Sequence, residues 1–174
     1  YIFIVNNYRK YAVCMYFKIK DIDIKFEDCV KVIRNSFITV AEEFNITRQN
    51  APTNPAFINS EALVKMKEKG VKMYGGYSEG KLIAFVAIEK ACDDIYYLEK
   101  LCVIPPYRHH GYGERLIKFV FETVKSDGGK KVCIGIVNDN TILKNWYIKN
   151  EFAETGRKTF NHLPFEVCFM EKLI

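Results

Sequence analysis

The feature that most restricts the fold is a strand, a helix and a second strand that follow one another between residues 95 and 137. Ile95–Val103 and Lys131–Val137 have the length and composition of strands, and the second of them reads as a buried strand. The helix between them has one apolar face, formed by Leu116, Ile117, Val120, Phe121 and Val124. Strands joined through a crossover helix lie parallel in one sheet. The sequence therefore predicts one parallel pair here.

The segments on either side predict antiparallel strands and further helices. A strand is expected within Met15–Ile24, a helix capped by Asp28 follows it, and Asn59 or Ser60 begins a short helix that stops at Gly70. Three strands joined by short turns then form a meander, over Lys72–Tyr77, Leu82–Glu89 and Ile95–Val103. After the parallel unit come a helix capped by Asn140 and two final strands, near Glu154–Thr159 and Phe165–Glu171.

These elements predict an α+β fold with a mixed, mostly antiparallel central sheet of about six to seven strands and helices on both faces. The 174 residues are enough for one domain with a full core. We assign residues 15–174 to that domain and treat residues 1–14 as an uncertain N-terminal extension. No apolar run reaches the roughly 20 residues of a membrane span, so no membrane partner is expected.

Charge and cysteine content narrow the function classes further. The net charge of +5 comes without any run of five like charges, so no nucleic-acid partner is expected. Six cysteines are spread along the chain, at Cys14, Cys29, Cys92, Cys102, Cys133 and Cys168. None lies within four residues of another, so no metal site is predicted. Most stand in apolar runs, which favours reduced core thiols of a cytoplasmic protein over disulfides.

Candidate functional residues concentrate where the strand Ile95–Val103 passes through PPYRHHGYG into the helix. The first amides of a helix have no intrahelical acceptor, and the helix dipole makes this end positive. Gly111 and Gly113 would let the backbone approach a bulky oxyanion, and Arg108 would add charge. The segment thus reads as a diphosphate cradle, or alternatively as a plain tight turn with His109 and His110 as solvated loop residues.

Two motifs in this part of the chain resemble those of the GNAT superfamily of acetyl-CoA-dependent N-acetyltransferases. Arg108, Gly111 and Gly113 match the superfamily pattern Arg/Gln-x-x-Gly-x-Gly/Ala of the acyl-CoA loop. Downstream, a second superfamily pattern, N-x-x-A-x-x-x-Y-x-K-x-G-F, is matched by Asn140, Tyr147, Lys149 and Phe152. Leu143 stands where the superfamily has a small residue. Asn150-Glu151 stands before Phe152, and because Asn150 can adopt the left-handed conformation, the helix can still end there.

The resemblance implies acetyl-CoA as donor co-substrate and a small-molecule or peptide amine as acceptor. It implies that the pantetheine arm pairs with the strand and the diphosphate with the loop. The cofactor-binding residues would be Leu101, Cys102, Val103, Arg108, His109, His110, Gly111, Tyr112, Gly113 and Asn140. It also implies that Tyr147 is the general acid that protonates the leaving thiolate. Glu99, just before the loop, is the candidate base, with Lys100 on the opposite face unless a bulge intervenes.

Alternatives stay open for each of these roles. Tyr147 could be a core residue, Glu99 an exposed strand residue, and Cys102 either an acyl carrier or a buried thiol, which is the better interpretation. The chain could instead be a non-catalytic CoA-binding module of the same fold. A nucleotide-phosphate binder is disfavoured, because neither GxxxxGK[ST] nor an early GxGxxG is present. The acceptor's identity and a possible homodimer are not readable from the sequence.

Overall fold

The computed structural model describes residues 16–22 and 26–174, and the bounds of all elements refer to these residues. The strands are β1 (Lys18–Asp21), β2 (Lys72–Ser78), β3 (Lys81–Lys90), β4 (Ile95–Val103), β5 (Lys131–Val137), β6 (Ala153–Thr159) and β7 (Glu166–Leu173). The helices are α1 (Phe26–Glu43), α2 (Ser60–Glu68), α3 (Tyr112–Ser126) and α4 (Thr141–Lys149). Two 3₁₀ turns, Pro55–Phe57 and Pro105–Tyr107, complete the described elements.

All seven strands form one sheet in the order β1-β2-β3-β4-β5-β7-β6. Every neighbouring pair is antiparallel except β4 and β5, which are parallel and are joined through α3. The predicted α+β fold, with its single parallel pair in a mostly antiparallel sheet, is therefore confirmed. β4 and β5 begin and end at the predicted residues.

Helices cover the two faces of the sheet unequally. On one face, which we call the α3 face, α3 and Tyr147 of α4 pack on residues from β2 to β7. On the other, which we call the α1 face, α1 and α2 pack on Met73, Phe85, Ala87 and Cys102, which belong to β2, β3 and β4. A third cluster, the α1-end cluster, is built on Ala41, Ile46, Ala51 and Ala56. Apart from Val137 at the end of β5, which packs on the α1-end cluster, β5, β6 and β7 thus lack the α1 and α2 cover on this face.

Two asparagines start helices as the sequence predicts. The Asn59 side-chain oxygen accepts a hydrogen bond from the Ala62 amide at 3.0 Å, which caps α2. The Asn140 side-chain oxygen accepts one from the Leu143 amide at 3.0 Å, which caps α4. Each side chain satisfies one of the amides that a helix leaves without an internal acceptor.

Several local predictions were wrong. Helix α1 includes Phe26, so Asp28 lies in its first turn rather than at its N-cap. Phe26 packs against the α1-face cluster, and this burial favours a helix that starts earlier. After α4 it is Glu151, at φ 67°, and not Asn150, at φ −94°, that takes the left-handed conformation. The first strand is short, and the rest of its predicted span includes residues 15 and 23–25, outside the described residues.

The prediction that β5 is a buried strand is correct for one face only. Val132, Ile134 and Ile136 are buried on the α3 face, whereas Gly135 on the other face is exposed. The five cysteines in the described part of the chain are free: Cys29, Cys102 and Cys168 are buried, Cys133 is half-buried and Cys92 is exposed. Cys14 lies outside the described residues. Among the helices described, none has the length and apolar character needed to cross a membrane.

Candidate active site

The main irregularity of the sheet is a gap between β4 and β5. The two strands pair only where Ile95–Tyr97 faces Lys131–Cys133, and beyond these residues they separate. β4 stays paired with β3 as far as Val103, and β5 stays paired with β7 as far as Val137. The backbone groups of residues 98–103 and 134–137 that face each other across the gap therefore form no strand pairing. An extended ligand can hydrogen-bond to such an edge as an added strand does.

A β-bulge shapes the β4 side of this gap. Ala87 pairs with Glu99 and Phe85 with Cys102, so β4 carries one more residue than β3 between these pairs. Lys100 takes a left-handed φ of 53° there, as bulged residues can. The bulge brings the Lys100 amino group to 3.1 Å from the Glu99 carboxylate. Lys100 and Glu99 therefore form an ion pair, and Lys100 does not point to the opposite face as it would in a regular strand.

The N-terminus of α3 lies where the loop after β4 ends. Gly111 is its N-cap at φ 79°, a left-handed conformation that favours glycine, and no side chain caps the helix there. Arg115 donates its amide to the Gly111 carbonyl at 3.1 Å. The first turn of α3 therefore presents backbone amides at the positive end of the helix dipole, which suits an anionic group.

Gly113 has a packing role that the sequence did not reveal. A Cβ on Gly113 would stand 2.9 Å from Cζ2 of Trp146, closer than ordinary van der Waals contact. The absence of a side chain therefore lets the indole ring of α4 lie against the first turn of α3. No pattern in the sequence links these two positions, which are separated by β5.

Arg108 is held by the protein in a way that motif reasoning missed. Its Nε donates to the Val103 carbonyl at 3.1 Å, and its terminal nitrogens donate to the Ser36 carbonyl at 2.7 Å and to the Thr39 hydroxyl at 3.2 Å. Partial burial lowers the pKa of the guanidinium. Most of the Arg108 donors are thus bound to α1 and β4. These bonds connect the loop to α1 and leave few guanidinium N–H groups for a phosphate.

The remaining loop residues divide into exposed and buried ones. His109 and His110 are exposed; His109 has a left-handed φ of 63°, and Nδ1 of His110 lies 2.6 Å from the Arg108 carbonyl oxygen. Tyr112 is buried, with its ring 4.6 Å from Phe17 and its hydroxyl 3.4 Å from the Ser78 hydroxyl. The Tyr112 side chain is therefore a core residue, and only its backbone faces the expected phosphate position.

Tyr147 is buried in α4 between two aromatic rings. Its ring meets Trp146 at 5.0 Å and Phe152 at 5.2 Å, both edge-to-face. No hydrogen bond joins its hydroxyl to another described residue. Burial raises the pKa of Tyr147 well above its usual value, and the charge that Cys102 would carry if ionised raises it further. The phenol is therefore protonated at neutral pH.

The β4 edge of the gap ends with Leu101, Cys102 and Val103. Leu101 and Val103 pack on the α3 face, whereas Cys102 packs under α1. Burial raises the pKa of the Cys102 thiol to about 12, although contacts with Ser36, the Phe85 backbone and Arg108 oppose the shift. Such a thiol is not ionised near neutral pH, so it lacks the character of an acyl-carrying nucleophile.

A groove of about 460 Å³ lies beside the gap and is lined by residues from four strands: Tyr97, Glu99, Cys133, Ile134, Gly135, Thr155, Phe169 and Met170. Directly paired residues share a face, and Glu99 pairs with Ala87 under α1. Tyr97, Glu99, Cys133 and Gly135 therefore point to the α1 face. Sequence reasoning had named Glu99 but not Phe169, which reaches the groove because β7 pairs with β5.

These features together define a sheet that is split within its single parallel pair, with the N-terminus of α3 after β4 and a groove beside the gap. The chain belongs to the GNAT acetyltransferase family: the sequence model described as "Acetyltransferase (GNAT) family" matches residues 37–152. No curated protein sequence matches the chain.

Several known structures share the fold. A PaiA N-acetyltransferase from Thermoplasma acidophilum in complex with coenzyme A has 19% identity and a TM-score of 0.69, over 91% of this chain and 99% of that one. The ribosomal-protein alanine N-acetyltransferase of Escherichia coli has 13% identity and a TM-score of 0.72, over 91% and 94%. A GNAT family acetyltransferase from Elizabethkingia anophelis with acetyl-CoA bound has 14% identity and a TM-score of 0.63, over 91% and 99%.

Proposed function

We propose that this protein transfers the acetyl group of acetyl-CoA to a primary amine. The observation that carries the proposal is the gap between β4 and β5, which has the N-terminus of α3 and Tyr147 nearby and the groove on the α1 face. A thioester lying in the gap would meet an acceptor lying in the groove. The family assignment and the CoA ligands of two related structures support the same donor.

In this proposal the cofactor uses backbone more than side chains. The pantetheine arm pairs with residues 101–103 as an added strand, and the diphosphate accepts hydrogen bonds from the amides at Gly111–Gly113. A backbone N–H on the free edge of β4 polarises the thioester carbonyl as an oxyanion hole does. Asn140 contributes through the start of α4, because its side chain is engaged in capping.

The reaction forms one C–N bond and breaks one C–S bond. The amine nitrogen attacks the thioester carbon, and Glu99 accepts a proton from that nitrogen, directly or through a water molecule. The tetrahedral intermediate collapses with departure of the CoA thiolate. Tyr147 donates its proton to that sulfur and regains one from solvent, so the products are an amide and free CoA thiol. A tyrosine phenol is already protonated at neutral pH, and burial, which raises the pKa of Tyr147, keeps it so.

The first experiment measures binding. Acetyl-CoA at 100 times its Kd should stabilise the protein by about 2.7 kcal/mol, seen as a higher melting temperature, and CoA should act similarly. ATP should give a smaller shift, since it lacks the pantetheine arm. An equal shift with ATP, or none with acetyl-CoA, would contradict the proposed cofactor.

The second experiment measures turnover. Free thiol released from acetyl-CoA is followed with and without primary amines, and the acetylated product is identified by mass. Amine-dependent thiol release is expected. Binding of acetyl-CoA without release in the presence of any amine would favour the non-catalytic CoA-binding module instead.

A further inference from the structure

The groove on the α1 face has aromatic walls on opposite sides. Tyr97 of β4 is 45% exposed and Phe169 of β7 is 37% exposed, although both stand in an ordered sheet. Between them lies Gly135 of β5, whose missing Cβ would stand 3.8 Å from the Phe169 ring. Because Gly135 has no side chain, the groove is open above β5, and the exposed parts of the two rings can contact a ligand. Exposed aromatic faces of this kind favour a flat or bulky apolar group.

The charges around the groove cancel. Its strands place six charged side chains on or beside this face: Glu89, Glu99, Lys100, Lys131, Lys158 and Glu171. Glu99 pairs with Lys100 at 3.1 Å, and Glu171 pairs with Lys131 at 2.9 Å. Lys158 lies over the Phe160 ring. A polycation gains affinity from surplus carboxylates, and this groove offers no such surplus.

One end of the groove is closed. Val137, next on this face after Gly135, packs into the α1-end cluster together with Leu163 and Phe165 of the β6–β7 connection. A peptide acceptor needs room for the chain that continues beyond its first residue. A groove of about 460 Å³ with a closed end suits a small molecule instead.

We propose that the acceptor is a small amine with a single positive charge and an aromatic or bulky apolar body. The body lies between Tyr97 and Phe169, and the amino group lies toward Glu99 and the gap between β4 and β5. This inference rests on the proposed acetyl transfer and adds the substrate class to it. Polyamines, aminoglycosides and peptide N-termini are the competing acceptors that the experiment must rank.

The test compares kcat/KM for 2-phenylethylamine, ethylamine, spermidine and a tetrapeptide with an N-terminal alanine, by thiol release from acetyl-CoA. An apolar contact of this size is worth on the order of tenfold or more in kcat/KM. We expect 2-phenylethylamine to exceed each of the other three by at least about that factor. The ranking uses the wild-type chain, so it does not depend on any variant folding.

Phe169→Ala then locates the effect. It should raise KM for 2-phenylethylamine about tenfold more than it raises KM for ethylamine, and leave the melting shift with acetyl-CoA intact. The matched control is Val64→Ala, which removes a similarly exposed apolar side chain, 40% exposed, from α2 outside the groove. It should change none of these values.

The outcomes separate the two proposals. Preference for spermidine or for the peptide, with acetyl-CoA binding intact, overturns the substrate class and leaves acetyl transfer standing. An equal loss for ethylamine and 2-phenylethylamine in Phe169→Ala also overturns it. Failure of acetyl-CoA to bind or to react with any amine removes both.

Discussion

The two halves of the sheet are built differently. β3, in the half that α1, α2 and α3 cover, is buried from Ile83 to Ile88 without interruption. β5 is buried at alternate residues only, and β6 is exposed along its whole length. A strand buried on both faces stabilises the fold, whereas a strand with one open face can contact a ligand. The comparison assigns stability mainly to β2–β4, and it places in β5–β7 the open face that forms one side of the proposed acceptor groove.

The largest effect should come from truncating the same residue type in each half. Phe85→Ala, at a fully buried position of β3, should lower the free energy of unfolding by about 3–5 kcal/mol. Phe169→Ala, at a position 37% exposed, should lower it by no more than about 1 kcal/mol. Urea unfolding followed by circular dichroism measures both. Equal losses would show that the open half contributes as much to stability as the covered half.

Tyr147→Phe should have the next largest effect, and on catalysis rather than on stability. It keeps both ring contacts and removes only the hydroxyl, which makes no hydrogen bond to a described residue. We expect kcat to fall on the order of 10²–10³ through loss of the general acid. Melting temperature and acetyl-CoA binding should stay close to wild type. An unchanged kcat would assign Tyr147 to packing and the acid role to another group.

Arg108→Lys tests the connection between the loop and α1. Lysine keeps the charge but lacks the planar fork that reaches Val103, Ser36 and Thr39. Losing these bonds should lower the free energy of unfolding by about 1–3 kcal/mol. The melting shift with acetyl-CoA should persist if the amides of α3 hold the diphosphate. A protein of unchanged stability with a lost acetyl-CoA shift would instead assign Arg108 to the phosphates.

The smallest effect concerns alkaline pH. The pKa of Tyr147 is higher in the folded protein than its ordinary value near 10, so its contribution to stability is full below that value and is lost as pH rises above it. At pH 10.5 the loss from this one group is on the order of 1 kcal/mol. Tyr147→Phe should therefore lose about that much less stability than wild type between pH 8 and pH 10.5, measured by urea unfolding. An identical loss in both proteins would place the hydroxyl in contact with water.

The sequence predicted what depends on local periodicity and missed what depends on distant contacts. The run LIAFVAIE and the asparagine caps were interpretable because each involves neighbouring residues. The half-open face of β5 was not, since Cys133 and Gly135 are as compatible with burial as with exposure. Arg108 donates hydrogen bonds to Thr39 and Ser36, which precede it by 69 and 72 positions in the chain. Trp146 contacts Gly113 although β5 lies between them in the sequence. No motif encodes such pairs, nor the left-handed Lys100 that forms the bulge.

The gap between β4 and β5 also matters for self-association, because unpaired strand edges can pair with another chain. Of the described strands, β1 and β6 lie at the two ends of the sheet. β1 has only four residues, and β6 carries Glu154, Arg157 and Lys158 together with a bulge, features that discourage pairing with another chain.

The gap is a third edge, and its β4 side carries the Glu99–Lys100 ion pair beside apolar residues such as Leu98 and Val103. Because Ile95–Tyr97 remains paired with β5, the gap is closed at one end and lies inside the sheet, so another chain has less access to it than to an outer strand. The fold can thus offer unpaired backbone to a cofactor without exposing an aggregation-prone edge.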